Sequence, residues 1–251
     1  MTLLVREARA VWAAAMFFTR VPLPSLPELV PEDQRRASAY WPLVGAAVGA
    51  AVAGVWAVSA TLFPPGVAVG LALAAGLLLT GALHEDGFAD VCDGFGGGTT
   101  RDRVLEIMRD SRIGAFGAIG LVMLLGLKWQ AMAALPPALL PAAVIAAHAL
   151  SRGAAVAMMV VLPYARTDAS RARPIVGHPG ARLIGVAITA LMPLLLLPPP
   201  ARLAGLVVVA GIWGLCFLWF RHRLGGYTGD CLGALQQLGE IGMLLAVLAQ
   251  A

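Results

Sequence analysis

Charged side chains are scarce in this sequence, which has 251 residues and only 13% Asp, Glu, Lys and Arg together. Apolar residues make up 59% of the chain and the mean hydropathy is +0.82, values outside the range of ordinary soluble domains. This composition predicts an all-α, polytopic integral membrane bundle. No Ser- or Gly-rich linker, charge block or convincing internal repeat divides the chain, so we expect one integral membrane domain over residues 1–251.

Cysteine and lysine are also scarce. The three cysteines form no CxxC pair and no histidine stands at zinc-finger spacing, which argues against a disulfide framework or a zinc site. The net charge of +4 rests on 17 Arg and one Lys, and 15 of these 18 residues fall in four segments. The segments are 1–38, 84–112, 163–182 and 221–230. By the positive-inside rule they face the cytoplasm.

Long apolar runs predict six or seven transmembrane helices, because a crossing needs about 20 residues. The predicted spans are two helices within 37–83, broken at 63–66, and one each within 113–135, 138–162, 183–197, 203–220 and 231–250. The last is the weakest prediction, because Gln236, Gln237 and Glu240 fall inside it. Residues 1–36 are predicted to form an N-terminal interfacial region with an amphipathic helix on the membrane surface.

Two basic residues fall inside predicted spans. Lys128 stands near the far end of its span, from which we expect it to snorkel toward the interface. Arg152 lies much deeper, so we expect it to face the bundle interior and find a partner there.

The segment 84–112 holds half of the chain's 14 acids and is the best candidate for chemistry. In a helix, Asp86, Asp90 and Asp93 stand at i, i+4 and i+7 and share one narrow stripe. Three such carboxylates repel unless they diverge into water, share protons or bind a cation, and oxygen ligands favour Mg²⁺. We expect the glycines that follow (94 and 96–98) to end the helix and leave N–H groups free for an anion. A metal site beside an anion site indicates that the protein acts on a substrate that contains phosphate.

Residues 90–94 (DVCDG) resemble the opening of the CDP-alcohol phosphotransferase signature, in which aspartates bind a divalent cation, but residues 95–98 depart from it. A lipid enzyme of that class is therefore one alternative. A transporter is another, because Arg152 and Glu240 are intramembrane charges, and a scaffold for soluble enzymes is a third. Residues 101–112 have two interpretations. Asp102, Glu106 and Asp110 form ion pairs with arginines on a surface helix, or an arginine binds substrate phosphates.

Four blocks, in this order, closely resemble the cobalamin synthase family. They are HEDGFADVCDG (84–94), LEIMRDSRIG (105–114), PYAR (163–166) and GGYTGDCLGA (225–234). The resemblance implies an Mg²⁺-dependent adenosylcobinamide-GDP ribazoletransferase that is integral to a bacterial cytoplasmic (inner) membrane. Such an enzyme joins adenosylcobinamide-GDP to α-ribazole, or its 5′-phosphate, and releases GMP in the last assembly step of the nucleotide loop of cobalamin.

The resemblance also implies roles for individual residues. Asp86, Asp90 and Asp93 are expected to hold one or two Mg²⁺ ions on the pyrophosphate, with Glu85 as a further ligand. A carboxylate that the metal does not fully engage, or His84, is expected to take the hydroxyl proton. The substrate-binding candidates are Arg109, Asp110, Arg112, Arg152, Tyr164, Arg166, Thr228 and Asp230.

Some of these residues also have structural interpretations. Arg166 suits a cytoplasmic anchor, Tyr164 an interfacial residue, and Thr228 with Asp230 a helix N-cap. We expect a lipid bilayer and no nucleic acid as partner. The sequence leaves open a homo-oligomer and contacts with other cobalamin-assembly enzymes.

Overall fold

The computed structural model describes residues 2–24, 31–166 and 182–251, so most of the predicted polar segment 163–182 lies outside the described residues. All the regular elements described are helical. The α-helices are α1 (Leu3–Phe18), α2 (Pro31–Ala37), α3 (Trp41–Ser59), α4 (Pro65–Thr80), α5 (Leu83–Gly97), α6 (Arg101–Ile107), α7 (Ala115–Ala134), α8 (Leu140–Val161), α9 (Leu183–Leu191), α10 (Pro199–Leu224) and α11 (Gly229–Leu248). The predicted all-α membrane bundle is confirmed.

Among the described residues, five helices are long and apolar enough to cross a membrane: the continuous helical stretch Arg35–Ser59, α7, α8, α10 and α11. The bent pair of α4 and α5 makes a sixth crossing if it is counted as one span. The predicted span at 183–197 is a shorter apolar helix, Leu183–Leu196, which ends in a 3₁₀ turn. The chain is therefore a multi-pass membrane protein.

Helices α8 and α11 form the centre of the bundle. In their most apolar windows 67% and 83% of the residues are buried, against 28% in α7 and 22% in α10. The outer helices carry many exposed large apolar side chains, which suit contact with lipid rather than water. The polar residues that made the last span a weak prediction are thus inside the protein, because α11 is its most buried helix.

A sharp turn separates α4 from α5. The two helices meet at 89°, and both residues of the turn, Gly81 (φ 65°) and Ala82 (φ 54°), are left-handed. This conformation is ordinary for glycine but costs an alanine about 1 kcal/mol or more. The bend ends the apolar helix α4 and lays the polar helix α5 between α7 and α11.

Helix α1 enters the bundle at its C-terminal end. Its first residues Leu3 and Leu4 are exposed, whereas Phe18 is buried with its ring edge on Trp41 at 5.0 Å. An ion pair of 2.8 Å between Arg9 and Asp33 ties α1 to α2. The N-terminal helix predicted from the sequence is therefore present, and its end forms part of the core.

Candidate active site

The predicted carboxylate stripe (Asp86, Asp90 and Asp93) lies on one continuous helix, α5, as expected. The glycines behind it do not all end the helix, because α5 continues through Gly94 and Gly96 to Gly97. Gly94 packs against Met108, and a Cβ there would lie 2.5 Å from the Met108 Cγ. The expectation that these glycines terminate the helix was wrong at Gly94 and Gly96, which serve close packing instead.

Glycines also bring α5 close to α11. A Cβ added at Gly87 would lie 3.0 Å from the Cα of Asp230, and one added at Gly233 would lie 3.2 Å from the carbonyl oxygen of His84. This approach sets the first two carboxylates of the stripe beside Asp230. The half-buried Asp90 lies within electrostatic range of Asp230 and Asp86.

Asp230 is held by an ion pair from a different segment. The Nη2 of Arg166 donates to its Oδ2 at 2.7 Å, and Thr228 Oγ1 donates to the same oxygen at 3.3 Å. Thr228 is also the N-cap of α11, because its hydroxyl accepts the Cys231 N–H at 3.2 Å. The N-cap interpretation thus holds for Thr228, while Asp230 faces a cation.

Backbone pairing places Arg166 at this position. The N–H of Tyr227 donates to Pro163 O at 3.0 Å, and the N–H of Ala165 donates to Tyr227 O at 2.8 Å. The half-buried ring of Tyr164 meets the Tyr227 ring edge-on at 5.6 Å. These contacts bind the third sequence block to the fourth.

The charge balance here is negative. Neither Asp86 nor Asp90 forms a side-chain hydrogen bond or ion pair within the described residues, and Arg166 already pairs with Asp230. Within the described residues, the Arg166 guanidinium therefore lies near two carboxylates, Asp230 and Asp90, and Asp86 adds a third negative charge close to both. Like charges in this arrangement are stabilised by a bound cation.

Asp93, the third member of the stripe, has a different environment. It is buried, and its two oxygens accept the backbone N–H groups of Gly114 at 2.7 Å and Gly117 at 2.8 Å. Those N–H groups open α7, so Asp93 acts as an N-cap supplied by another helix. A Cβ at either glycine would overlap the carboxylate. Sequence spacing alone did not reveal this role, because the donors come from the next helix.

His84 and Glu85 face the bundle interior. His84 is 5% exposed, its ring stacks on Phe18 at 5.3 Å, and its Nε2 has no partner. Glu85 Oε1 accepts the Gln237 Nε2 hydrogen at 2.9 Å, while its Oε2 is buried without a partner. His84 lines a cavity together with Asp86 and Asp230, whereas Glu85 lines a different one.

A second charged group, which we call the Glu240 cluster, lies between α7, α8 and α11. Glu240 Oε2 accepts from Lys128 Nζ at 2.8 Å, and its Oε1 lies 2.9 Å from His148 Nδ1 and 3.3 Å from Arg152 Nη1. The Nε2 of Gln236 donates to the same Oε1 at 2.6 Å. The expected inward position of Arg152 is confirmed. The snorkelling predicted for Lys128 was wrong, because its partner on α11 lies within reach inside the bundle.

The segment after α6 holds the remaining candidates. Helix α6 ends at Ile107, so Asp110 lies beyond the helical row predicted for it. The exposed Arg112 donates hydrogen bonds to Asp110, from Nε to Oδ1 at 3.0 Å and from Nη2 to Oδ2 at 2.6 Å. The side chain and backbone N–H of Arg112 lower the pKa of the Asp110 carboxyl to about 2. Arg109 is also exposed.

All four blocks meet at one end of the bundle. Block 84–94 contacts block 105–114 through Asp93 and Gly114, and contacts block 225–234 through Gly87 and Asp230. Block 163–166 joins the second and fourth blocks through Arg166, whose Nη2 lies 3.4 Å from Met108 O. Segments far apart in the sequence therefore build one polar surface.

The donor set at this surface suits magnesium. No three His, Cys, Asp or Glu side chains among the described residues stand close enough to form a complete metal cage. Mg²⁺ is typically held by one or two carboxylates, with waters and substrate phosphates filling its other positions. The unpaired carboxylates of Asp86 and Asp90, beside Asp230, supply this kind of partial site.

Comparisons with known proteins agree on one family. A sequence model of cobalamin-5-phosphate synthases matches residues 10–248. The adenosylcobinamide-GDP ribazoletransferase of Ralstonia nicotianae is 48% identical over 98% of this chain and 97% of the relative. The proteins of the same name from Leptothrix cholodnii and Shewanella oneidensis are 45% and 40% identical, over 99% and 94% of this chain and 98% and 92% of the relatives. No solved structure matches the chain.

Proposed function

Because this chain belongs to the cobalamin-5-phosphate synthase family, we propose that it transfers the cobinamide-bearing phosphoryl group of adenosylcobinamide-GDP to a ribazole and releases GMP. The acceptor is α-ribazole or its 5′-phosphate. The observation that carries the proposal is the pair of unpaired carboxylates, Asp86 and Asp90, facing Asp230 where the four blocks meet.

The reaction is a phosphodiester exchange. A ribose hydroxyl oxygen forms a bond to the phosphorus that carries the cobinamide arm, the bond from that phosphorus to the oxygen shared with GMP breaks, and the hydroxyl proton passes to a base. Such displacements depend on positioning and charge neutralisation more than on covalent help from the protein. The protein's task is to hold two substrates in line.

Asp86 and Asp90 are the residues that would hold Mg²⁺, with Asp230 beside them. Bound there, the metal would neutralise charge on the pyrophosphate. Asp93 keeps α5 and α7 in register through Gly114 and Gly117, so in this proposal it positions the site. Glu85 faces the interior and is a supporting residue rather than a first choice of ligand.

Two groups remain candidates for the base. Asp90 is half-buried among carboxylates, and His84 has a free Nε2 in the cavity that Asp86 lines. Arg166 is set to contact substrate phosphate, because it already binds an anionic oxygen at the site. Exposed Arg109 and Arg112, with Asp110, stand on the neighbouring segment and are proposed to contact the nucleotide.

The proposal includes an orientation. We place the chain in the bacterial cytoplasmic membrane with the acidic site facing the cytoplasm, where both substrates are expected to be available. Cysteine labelling with a membrane-impermeant reagent tests this. A cysteine introduced at exposed Asp102 should react from the cytoplasmic side of vesicles, and one introduced at Leu62 should react from the other side.

The activity is tested with the purified chain in detergent. GMP should be released when both substrates and Mg²⁺ are present, and EDTA should stop the release. Turnover without a second compartment excludes pure transport. CDP-diacylglycerol with an alcohol should give no product, and a product there would favour the lipid enzyme instead. Comparing α-ribazole with its 5′-phosphate by KM identifies the acceptor.

A further inference from the structure

A cavity inside the bundle lies directly beside the carboxylates of Asp86, Asp90 and Asp230, which we call the acidic surface. It has a volume of about 140 Å³ and is enclosed by α1, α3, α5, α8 and α11. Phe17, Phe18 and Trp41 supply aromatic walls, and Asp86 and Asp230 line the same space. A group bound in this cavity would therefore lie next to these carboxylates, where we propose that the reaction takes place.

Three buried polar side chains that line the cavity each have at least one nitrogen or oxygen atom without a hydrogen-bond partner. They are His84 at Nε2, Arg152 at Nε and Nη2, and Gln236 at Oε1. Their exposed fractions are 5%, 1% and 1%. Buried polar atoms in proteins nearly always have hydrogen-bond partners, so these atoms indicate a polar feature of a ligand.

Phe18 shows that two of these groups belong to this cavity. The Arg152 Cζ lies 5.2 Å from the centroid of the Phe18 ring, and the His84 ring stacks on the same Phe18. His84, Arg152 and Gln236 also border a smaller cavity of about 40 Å³, but Phe18, which His84 and Arg152 contact, lines the larger one. The guanidinium that Glu240 holds through Nη1 thus keeps Nη2 and Nε for another acceptor.

We propose that this cavity is the subsite for the flat heteroaromatic base of the acceptor substrate, the benzimidazole ring of the ribazole. Aromatic walls suit the faces of a planar ring. A lone pair on the ring nitrogen suits a free N–H of Arg152. The volume is on the order of that of an apolar protein cavity known to bind benzene, so an aromatic ring fits. The inference rests on the proposed function and adds where one substrate binds.

Other occupants fit the cavity less well. An acyl chain would fill the apolar space but would leave the free N–H groups of Arg152 without an acceptor. The guanine of the nucleotide presents three N–H donors, whereas three of the four unpartnered atoms named above are themselves nitrogens. A ribose-substituted benzimidazole offers a ring acceptor and no N–H donor, which matches the N–H groups of Arg152 and the aromatic walls.

This binding mode also predicts where the ribose of the substrate lies. With the base between α1 and α11, the attached ribose comes next to Asp86 and Asp230, which border the same space. The attacking hydroxyl is then presented to the acidic site from within the bundle.

The subsite is tested by filling it. Ala155 lines the cavity and is 3% exposed, whereas Ala157, two residues along α8, is exposed and lines an outer groove. Ala155→Leu should raise the KM for α-ribazole about tenfold, with the KM for adenosylcobinamide-GDP and the saturated kcat nearly unchanged. Ala157→Leu adds the same atoms outside the cavity and should change neither constant. Thermal unfolding confirms that both variants are folded.

Direct binding separates this inference from the activity itself. Equilibrium dialysis of α-ribazole should show weaker binding to Ala155→Leu than to Ala157→Leu or the wild type. Phe17→Leu, which removes one aromatic wall, should weaken binding by a smaller factor. A wild type that binds α-ribazole but releases no GMP would refute the proposed reaction and leave the subsite standing.

Two results would overturn the subsite. An unchanged KM and affinity for α-ribazole in folded Ala155→Leu would mean that the cavity holds lipid or no substrate. An increase confined to the KM for adenosylcobinamide-GDP would assign the cavity to the nucleotide base.

Discussion

Two groups of charged residues in this protein differ in how their charges are balanced. In the Glu240 cluster one buried carboxylate contacts Lys128, Arg152 and His148. At the acidic surface, Asp86, Asp90 and Asp230 lie close together, and Arg166 pairs with Asp230. Among the residues that the structure describes, the first group has a cation for its carboxylate, whereas Asp86 and Asp90 in the second group have no ion-pair partner.

The difference indicates which group is structural and which is functional. The Glu240 carboxylate needs no ligand of its own, because cations and hydrogen-bond donors surround it, and it holds three helices together. The N–H groups of Arg152 that do not contact Glu240 are the part of this cluster left for a substrate. Unpaired carboxylates facing a substrate-sized space cost stability and persist where a bound cation or substrate uses them. Intramembrane charge alone is therefore not evidence for transport in this chain.

The largest expected effect comes from breaking the balanced group. Glu240→Gln leaves Lys128 and Arg152 buried without their carboxylate, which should lower the free energy of unfolding by about 3–5 kcal/mol. Thermal unfolding in detergent measures the loss. Glu106→Gln on the exposed face of α6 is the matched control and should leave the melting temperature unchanged. A stable Glu240→Gln protein would show that the cluster does not hold the bundle.

The opposite result is expected at the unbalanced group. Asp90→Asn should lower the rate of GMP release by about 100-fold, the scale of losing one electrostatic contact in a transition state. Stability should be unchanged or higher, because a repelling charge is removed. Exposed Asp102→Asn is the control and should retain activity. Equal activity of the two variants would refute the role of Asp90.

Local patterns predicted much of this architecture. Apolar runs gave the positions of α3, α4, α7, α8, α10 and α11, and the stripe expected if the acidic segment is helical is present on α5. These features depend on residues near one another in the chain. The convergence of the four blocks required the resemblance to a family, because no periodicity indicates that 163–166 and 225–234 pair.

Contacts between distant segments account for what the sequence did not predict. Asp86 and Asp93 are the same residue type on one helix, yet only Asp93 meets the N–H groups that open α7. Lys128 looked peripheral because of its place in the span, and its partner Glu240 comes 112 residues later. The C-terminal end of α4 also contains no proline that would have predicted the bend that follows.

A variant at Asp93 sharpens the contrast within the stripe itself. Asp93→Asn replaces one acceptor oxygen by a donor that faces a backbone N–H, so it should lower the free energy of unfolding by about 1–3 kcal/mol. GMP release should fall less than in Asp90→Asn, because in this proposal Asp93 affects the site only through the position of α7. Measuring both quantities separates the roles. A fully stable Asp93→Asn protein with activity as low as Asp90→Asn would instead make Asp93 a metal ligand.

The smallest effect is expected at Asp110, whose charge is balanced but exposed. Arg112 lowers the pKa of Asp110 to about 2, so the pair contributes stability above the ordinary carboxyl pKa and loses it as the pH falls through about 2. Solvent screens the pair, and Asp110→Asn should therefore give no resolvable shift in melting temperature between pH 5 and 8. Melting curves of both proteins across this range make the measurement, with 0.5 M salt as a second condition. If the difference in melting temperature between the two proteins changes between pH 5 and 8, Asp110 is coupled to the acidic surface. Exposure alone would then not distinguish the two kinds of charged group.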